Sequence, residues 1–164
     1  MVMHYAIIFY SIIEEILMNK VVVTVIGIQK DAMGEENRIE FVTTGTHYFK
    51  NGIHYVLYED SEVSGMEGTS NLLKIADHHV TLVRKGAVSQ EQHFELAKKS
   101  SSVYRTPYGR LTLTVLTNKL DICYGSISGN IDIVYELSID GHWQSENQLQ
   151  ISVCADAETY SHMN

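Results

Sequence analysis

Residues 46–75, THYFKNGIHYVLYEDSEVSGMEGTSNLLKI, decide the fold. Asn51-Gly52 stands between two runs rich in Tyr, Val, Ile, Phe and Leu. An Asn-Gly pair tolerates positive φ at two consecutive positions, which a two-residue hairpin turn requires. The stretch therefore predicts an antiparallel hairpin. Its second half runs into a dense acidic and glycine-containing segment, Glu59 to Gly68, with no catalytic signature.

Outward from that hairpin the apolar period is two almost throughout. Val21 to Gln29 predicts a first strand, and Asn37 to Lys50 a longer one with a bulge or bend near Gly45. Ile53 to Asp60 and Ser70 to Ile75 follow. Val80 to Val88 sets Val80, Leu82 and Arg84 on one face, opposite Thr81, Val83 and Lys85. Gln92 to Ala97 admits strand or helix, and Lys98 to Ser102 reads as a polar loop. Pro107-Tyr108-Gly109 stops the strand that ends at Thr106. Clean alternation resumes at Leu111 to Val115, at Ile131 to Ile139 and at Leu149 to Val153, with Asp140-Gly141 as a further hairpin turn. The pattern predicts an all-β protein, an antiparallel up-and-down barrel of about eight to ten strands.

The chain carries 12 Lys and Arg against 20 Asp and Glu, a net charge of −8. Such a surface does not neutralise phosphates, which argues against nucleic acid as a partner and against docking on an anionic membrane. Cys123 and Cys154 have no metal-ligand spacing and read as idle or buried thiols of a reducing cytoplasm, with Cys123 as a small core hydrophobe. Residues 18–154 are expected to form one barrel domain and residues 155–164 a polar, disordered tail. Residues 1–17, MVMHYAIIFYSIIEEIL, read as a non-core leader. Their apolar run is shorter than the roughly 20 residues of a membrane span and lacks a secretory cleavage site. Met18 opens MNKVVVTV, a plausible true start, with Glu14-Glu15 just upstream encodable as a purine-rich ribosome-binding sequence.

Four motifs occur in a telling order: YEDSEVSGMEGT at 58–69, RKG at 84–86, TPYG at 106–109 and YELSIDG at 135–141. In order and spacing they resemble the YwiB-like family, uncharacterised bacterial proteins described as lipocalin-like, calycin-type β-barrels. The resemblance covers about residues 18–153 and implies a barrel of about eight antiparallel strands. It implies no reaction, substrate or cofactor.

Arg84 is the most informative single residue, because alternation turns it inward with Val80 and Leu82. A guanidinium stays charged on burial and needs carboxylate or anion partners. Two readings follow: an anchor for an anionic ligand, or an internal ion pair with Glu59, Glu62 or Glu67. The ion pair is the preferred expectation. The carboxylates from Glu59 to Glu67 otherwise read as a solvated rim, since they match no calcium loop. His47, His54, His78, His79, His93 and His142 lack zinc spacing, so no metal is expected. Ser100 to Ser102 read as an exposed loop. Tyr55, Tyr58, Tyr104, Tyr108, Tyr135 and Trp143 are candidates to fill the lumen or cap its mouth.

The leading functional expectation is a cytoplasmic barrel that binds a small apolar or anionic ligand without a cofactor. A ligand site is expected at the barrel mouth, near Glu59, Glu62, Met66, Arg84, Thr106 and Tyr108. The rival is a structural or partner-binding protein with a side-chain-filled barrel. A hydrolase using Arg84 and nearby carboxylates comes third, behind the expectation that the chain is not an enzyme.

Overall fold

Val21, Val23 and Val25 alternate with Val22, Thr24 and Ile26 on the first strand, and only the odd-numbered set is fully buried. β-Branched residues at period two suit a pleated surface with one wet face. The computed structural model describes residues 18–157, which form ten strands. These are β1 Asn19–Asp31, β2 Glu36–Lys50, β3 Ile53–Glu59, β4 Thr69–Ile75, β5 His79–Gly86, β6 Gln90–Glu95, β7 Lys99–Thr106, β8 Gly109–Tyr124, β9 Gly129–Ile139 and β10 His142–Ala155. The leader over residues 1–17 and the end of the expected tail lie outside the described residues.

Every strand lies beside its sequence neighbours, all antiparallel, and β1 joins β10 along a ladder from Val21↔Ala155 to Asp31↔Ser145. The result is an up-and-down barrel, nearly closed. Its one seam lies between β6 and β7, which meet at the single bridge Ser89↔Arg105. Elsewhere the seam is closed by side chains: Gln90 Nε2 donates to Ser102 Oγ at 3.0 Å, and Ser102 Oγ donates to Gln92 Oε1 at 2.8 Å. One wall is tall, with β2 and β8 at 15 and 16 residues. The other is short, with β3 and β4 at 7 residues each.

The decisive hairpin forms as its sequence predicts. Asn51 and Gly52 take φ of 52° and 78°, so Lys50 pairs with Ile53 through a two-residue turn. Asp140 and Gly141, at 49° and 84°, do the same between β9 and β10.

Three local expectations need correction. No bulge occurs at Gly45, because the β1–β2 register runs unbroken through Val21↔Gly45. Gly45 instead admits the Leu57 carbonyl, which a Cβ would approach to 2.5 Å. The register shifts lie at Thr117/Lys119 and Trp143/Ser145. Lys99 to Ser102 is strand, not loop, since Ser100 and Ser102 pair with Val115 and Leu113 and Ser102 is buried in the seam. Cys123 is exposed, because β8 turns its neighbours Ile122 and Tyr124 toward the core.

The core fills the lumen at the end where β1 begins, with Leu73, Ile75, Val80, Ile131, Ile151 and Val153 all but inaccessible. Toward the opposite end the lumen turns polar.

Candidate functional site

Three register pairs lay a polar row across the inner face of the short wall. Tyr58 stands opposite Asn71, Asn71 opposite Arg84, and Arg84 opposite Gln90. The acidic segment after β3 folds over this row. It contains one 3-10 turn, Glu62–Ser64, ended by Gly65 at φ 72°, and this turn packs against β2. Gly65 releases the chain in a conformation that a side chain would disfavour. Ser64 and Met66 are thereby brought to the lumen mouth.

Beneath them lies a cavity of about 250 Å³. Val25, Ile39, Phe41, Leu82 and Leu149 supply its apolar wall, and Tyr58, Asp60, Arg84, Tyr135 and Asn147 its polar one. A second space of about 140 Å³ continues behind Arg84 toward the seam, lined by Gln90, Gln92 and Tyr104. Leu82, Arg84, Tyr135 and Leu149 border both.

Arg84 turns inward, as its alternation predicts, but the expected ion pair does not form. Among the described residues Arg84 has no carboxylate partner. Its Nη1 donates to the Met66 thioether at 2.7 Å, and its buried Nε has no acceptor at all. The reason is the strand period. Glu59 is one residue out of phase with inward Tyr58, so its carboxylate faces outward and accepts from Ser70 Oγ at 2.6 Å. Glu62 and Glu67 are exposed on the covering segment.

Asp60 is the acid that enters the cavity. Its Oδ2 accepts from Asn71 Nδ2 at 2.6 Å, which fixes the amide and leaves Asn71 Oδ1 buried without a donor. Burial pushes the Tyr58 hydroxyl well above the usual phenol range, against the pull of Arg84 and with a push from Asp60. Burial raises Tyr135 as well, again against Arg84. Both phenols are neutral near pH 7 and offer O–H donors beside the guanidinium.

Of the six residues expected at the mouth, Met66 and Arg84 line the cavity together. Glu59 and Glu62 do not, and neither do Thr106 and Tyr108. Thr106 closes its own turn, with Oγ1 donating to the Gly109 carbonyl at 3.1 Å, and Tyr108 is fully exposed at the tip. Of the aromatic set, Tyr58, Tyr104 and Tyr135 enter the lumen. Tyr55 instead stacks on Tyr48, ring centroids 4.6 Å apart, and Trp143 is exposed. Asp60 and Asn71 were missed. The short turn between β4 and β5, which pairs Ile75 with Val80, is the signal that finds Asn71 beside Arg84.

The other barrel end carries a second cluster. His47 Nε2 lies 3.0 Å from His54 Nδ1, and both rings pack against Tyr124. Burial and the neighbouring His54 hold His47 down to about 4, and burial lowers His54 against the pull of Asp77. Among the described residues no group of three His, Cys, Asp or Glu side chains is placed to hold a metal ion.

Fold and site together define a single-sheet, up-and-down β-barrel with a charged chamber under one mouth and a packed core below it. The chain belongs to the family described as a domain of unknown function, DUF1934, which matches residues 23–151. It is similar to the uncharacterised beta-barrel protein YwiB of Bacillus subtilis (strain 168), 26% identical over 119 residues that cover 73% of this chain and 82% of the relative. The crystal structure of the ywiB protein from Bacillus subtilis superposes with a TM-score of 0.71 at 22% identity, covering 85% of this chain and 94% of that one. That likeness is one of fold. No helix among the described residues is long and apolar enough to cross a membrane.

Proposed function

We propose that this protein binds a small molecule in its lumen and holds an anionic group of that molecule at Arg84. The observation that carries the reading is the half-buried Arg84, whose buried Nε has no acceptor and whose only hydrogen bond among the described residues goes to a thioether. A charge drawn partly out of water without a partner is costly, and a carboxylate or phosphate oxygen supplies what it lacks. Tyr58 and Tyr135 add O–H donors on the same wall. The cavity of about 250 Å³ falls just under the roughly 300 Å³ lower end of ligand pockets, so the ligand is small.

On this reading the barrel is lipocalin-like, with a filled lower half and a binding upper half. Two exposed, unpaired cysteines, Cys123 and Cys154, suit a reducing cytoplasm as the place of action.

Arg84→Met tests the reading. Loss of a charge without a carboxylate partner leaves the unfolding midpoint unchanged or higher, and abolishes thermal stabilisation by short carboxylic acids or inorganic phosphate. A loss of roughly 3–5 kcal/mol, the cost of breaking a buried ion pair, would sink the reading. Undiminished stabilisation by those anions would do the same.

A further inference from the structure

We infer that the lumen ligand is a small zwitterion, an amino-carboxylate whose carboxylate meets Arg84 and whose ammonium meets Asp60. The inference rests on the lumen-binding reading and goes beyond it by adding a second, cationic group.

The first ground is charge. Asp60 and Arg84 are the two ionised residues that line the cavity, and they do not pair with each other. A simple anion entering to reach Arg84 meets the Asp60 carboxylate as well, and a simple cation meets Arg84. In a partly enclosed site each repulsion is screened less than in open water. A ligand with one charge of each sign satisfies both walls.

The second ground is the pair of orphaned atoms. Arg84 Nε is a buried donor without an acceptor, and Asn71 Oδ1 a buried acceptor without a donor. They belong to cross-strand partners, Asn71↔Arg84, yet they do not bond to each other. Buried polar groups are nearly always satisfied, and each exception calls for an explanation. The Asn71 amide cannot turn over to relieve itself, because its Nδ2 is held by Asp60 Oδ2 at 2.6 Å. Asp60 lines the cavity and Asn71 does not, so Asp60, steadied by Asn71 Nδ2, is the acceptor for an ammonium with three N–H donors, and Arg84 forms the donor side.

Size is the third ground. A cavity of about 250 Å³ admits a molecule of a few heavy atoms and excludes a nucleotide or fatty acid.

NMR titration of the full chain at neutral pH, with probes of one chain length, separates the possibilities. Butyrate carries the anion alone, butylamine the cation alone, and the 2-, 3- and 4-aminobutyrates carry both at increasing separation. One aminobutyrate is expected to bind at least about tenfold tighter than butyrate or butylamine. Asp60→Asn retains an oxygen to accept from Asn71 and removes the charge. It is expected to weaken that aminobutyrate about tenfold or more and leave butyrate equal or tighter. Arg84→Met is expected to lose every carboxylate. If butyrate binds as well as all three isomers, or Asp60→Asn leaves their ratio unchanged, the zwitterion inference fails and the anion reading survives. If no carboxylate binds, or Arg84→Met binds them undiminished, both fail.

Discussion

Acidification should unlock the barrel end opposite the Arg84 chamber. His47 is 1% exposed, and its Nε2 shares one hydrogen bond of 3.0 Å with His54 Nδ1. Two neutral imidazoles satisfy that contact with a single proton. A second proton sets two donors face to face and buries a charge against Tyr124. The folded protein therefore resists protonation, and His47 titrates at about 4 instead of 6.5. The unfolded chain takes up its proton first as the pH falls below about 6.5, so stability is full above that value. It is lost progressively between about pH 6.5 and 4. At about 1.4 kcal/mol per unit of depression the ceiling is about 3 kcal/mol. At pH 4.5, still above the folded value of His47, the loss is incomplete, and about 2 kcal/mol of it is expected. Urea unfolding at pH 7.5 and 4.5 measures it, with His47→Phe as the reference that keeps an aromatic ring beside Tyr124. The native chain should lose about 2 kcal/mol more than the variant. Asp132 does not confuse the comparison: burial raises its carboxyl, but Lys119 and Gln148 outweigh this and hold it below 3.8, outside the window. Equal losses in the two proteins would refute the reasoning.

Gly86→Ala should cost more than about 2 kcal/mol, because Gly86 sits at φ 118° with the Gly68 carbonyl where a Cβ would stand; an unchanged urea midpoint would contradict this. Gly52→Ala meets no neighbour within 4 Å, so only the φ of 78° opposes it, and the loss should be about 1 kcal/mol. A loss as large as that of Gly86→Ala would show that the turn residue has contacts not accounted for. The amides of β6 and β7 that face the seam should exchange with deuterium sooner than those of β1, while Ser89 and Arg105, bonded to each other across it, stay protected; uniform protection would mean that the seam is no weaker than the ladders.

The meander was legible because it is specified locally. A two-residue Asn-Gly turn sets the register of β2 on β3, and short turns do the same for β4 on β5 and β9 on β10. Even the His47–His54 contact is implicit there. Phe49↔His54 and His47↔Val56 are register pairs, so the two histidines are diagonal neighbours on one face. What the period could not supply was anything decided by a third strand or by water. Ser100 to Ser102 look like loop because they are polar. They are strand because β8 pairs with them and the two glutamines of β6 need a hydroxyl across the open seam.

The Arg84 chamber divides in the same way. That Arg84 points inward follows from two-residue alternation, and its neighbour Asn71 follows from counting pairs outward from the short turn at Ala76 to His78. Its partner does not. The preferred partners Glu59, Glu62 and Glu67 lie near Arg84 in any barrel, so proximity argued for a pair. Phase argues otherwise: the inward positions at the end of β3 are Tyr58 and then Asp60, leaving Glu59 outside. Beyond Asp60 the period stops, and the path of the chain is set by Gly65 and Gly68 at φ 72° and 82°. That path delivers Met66, not a carboxylate, to the guanidinium. An arginine that faces a thioether while three acids stay in solvent is poorly explained as a strut, since any of those acids would hold it better. It is well explained as a group whose partner arrives from outside.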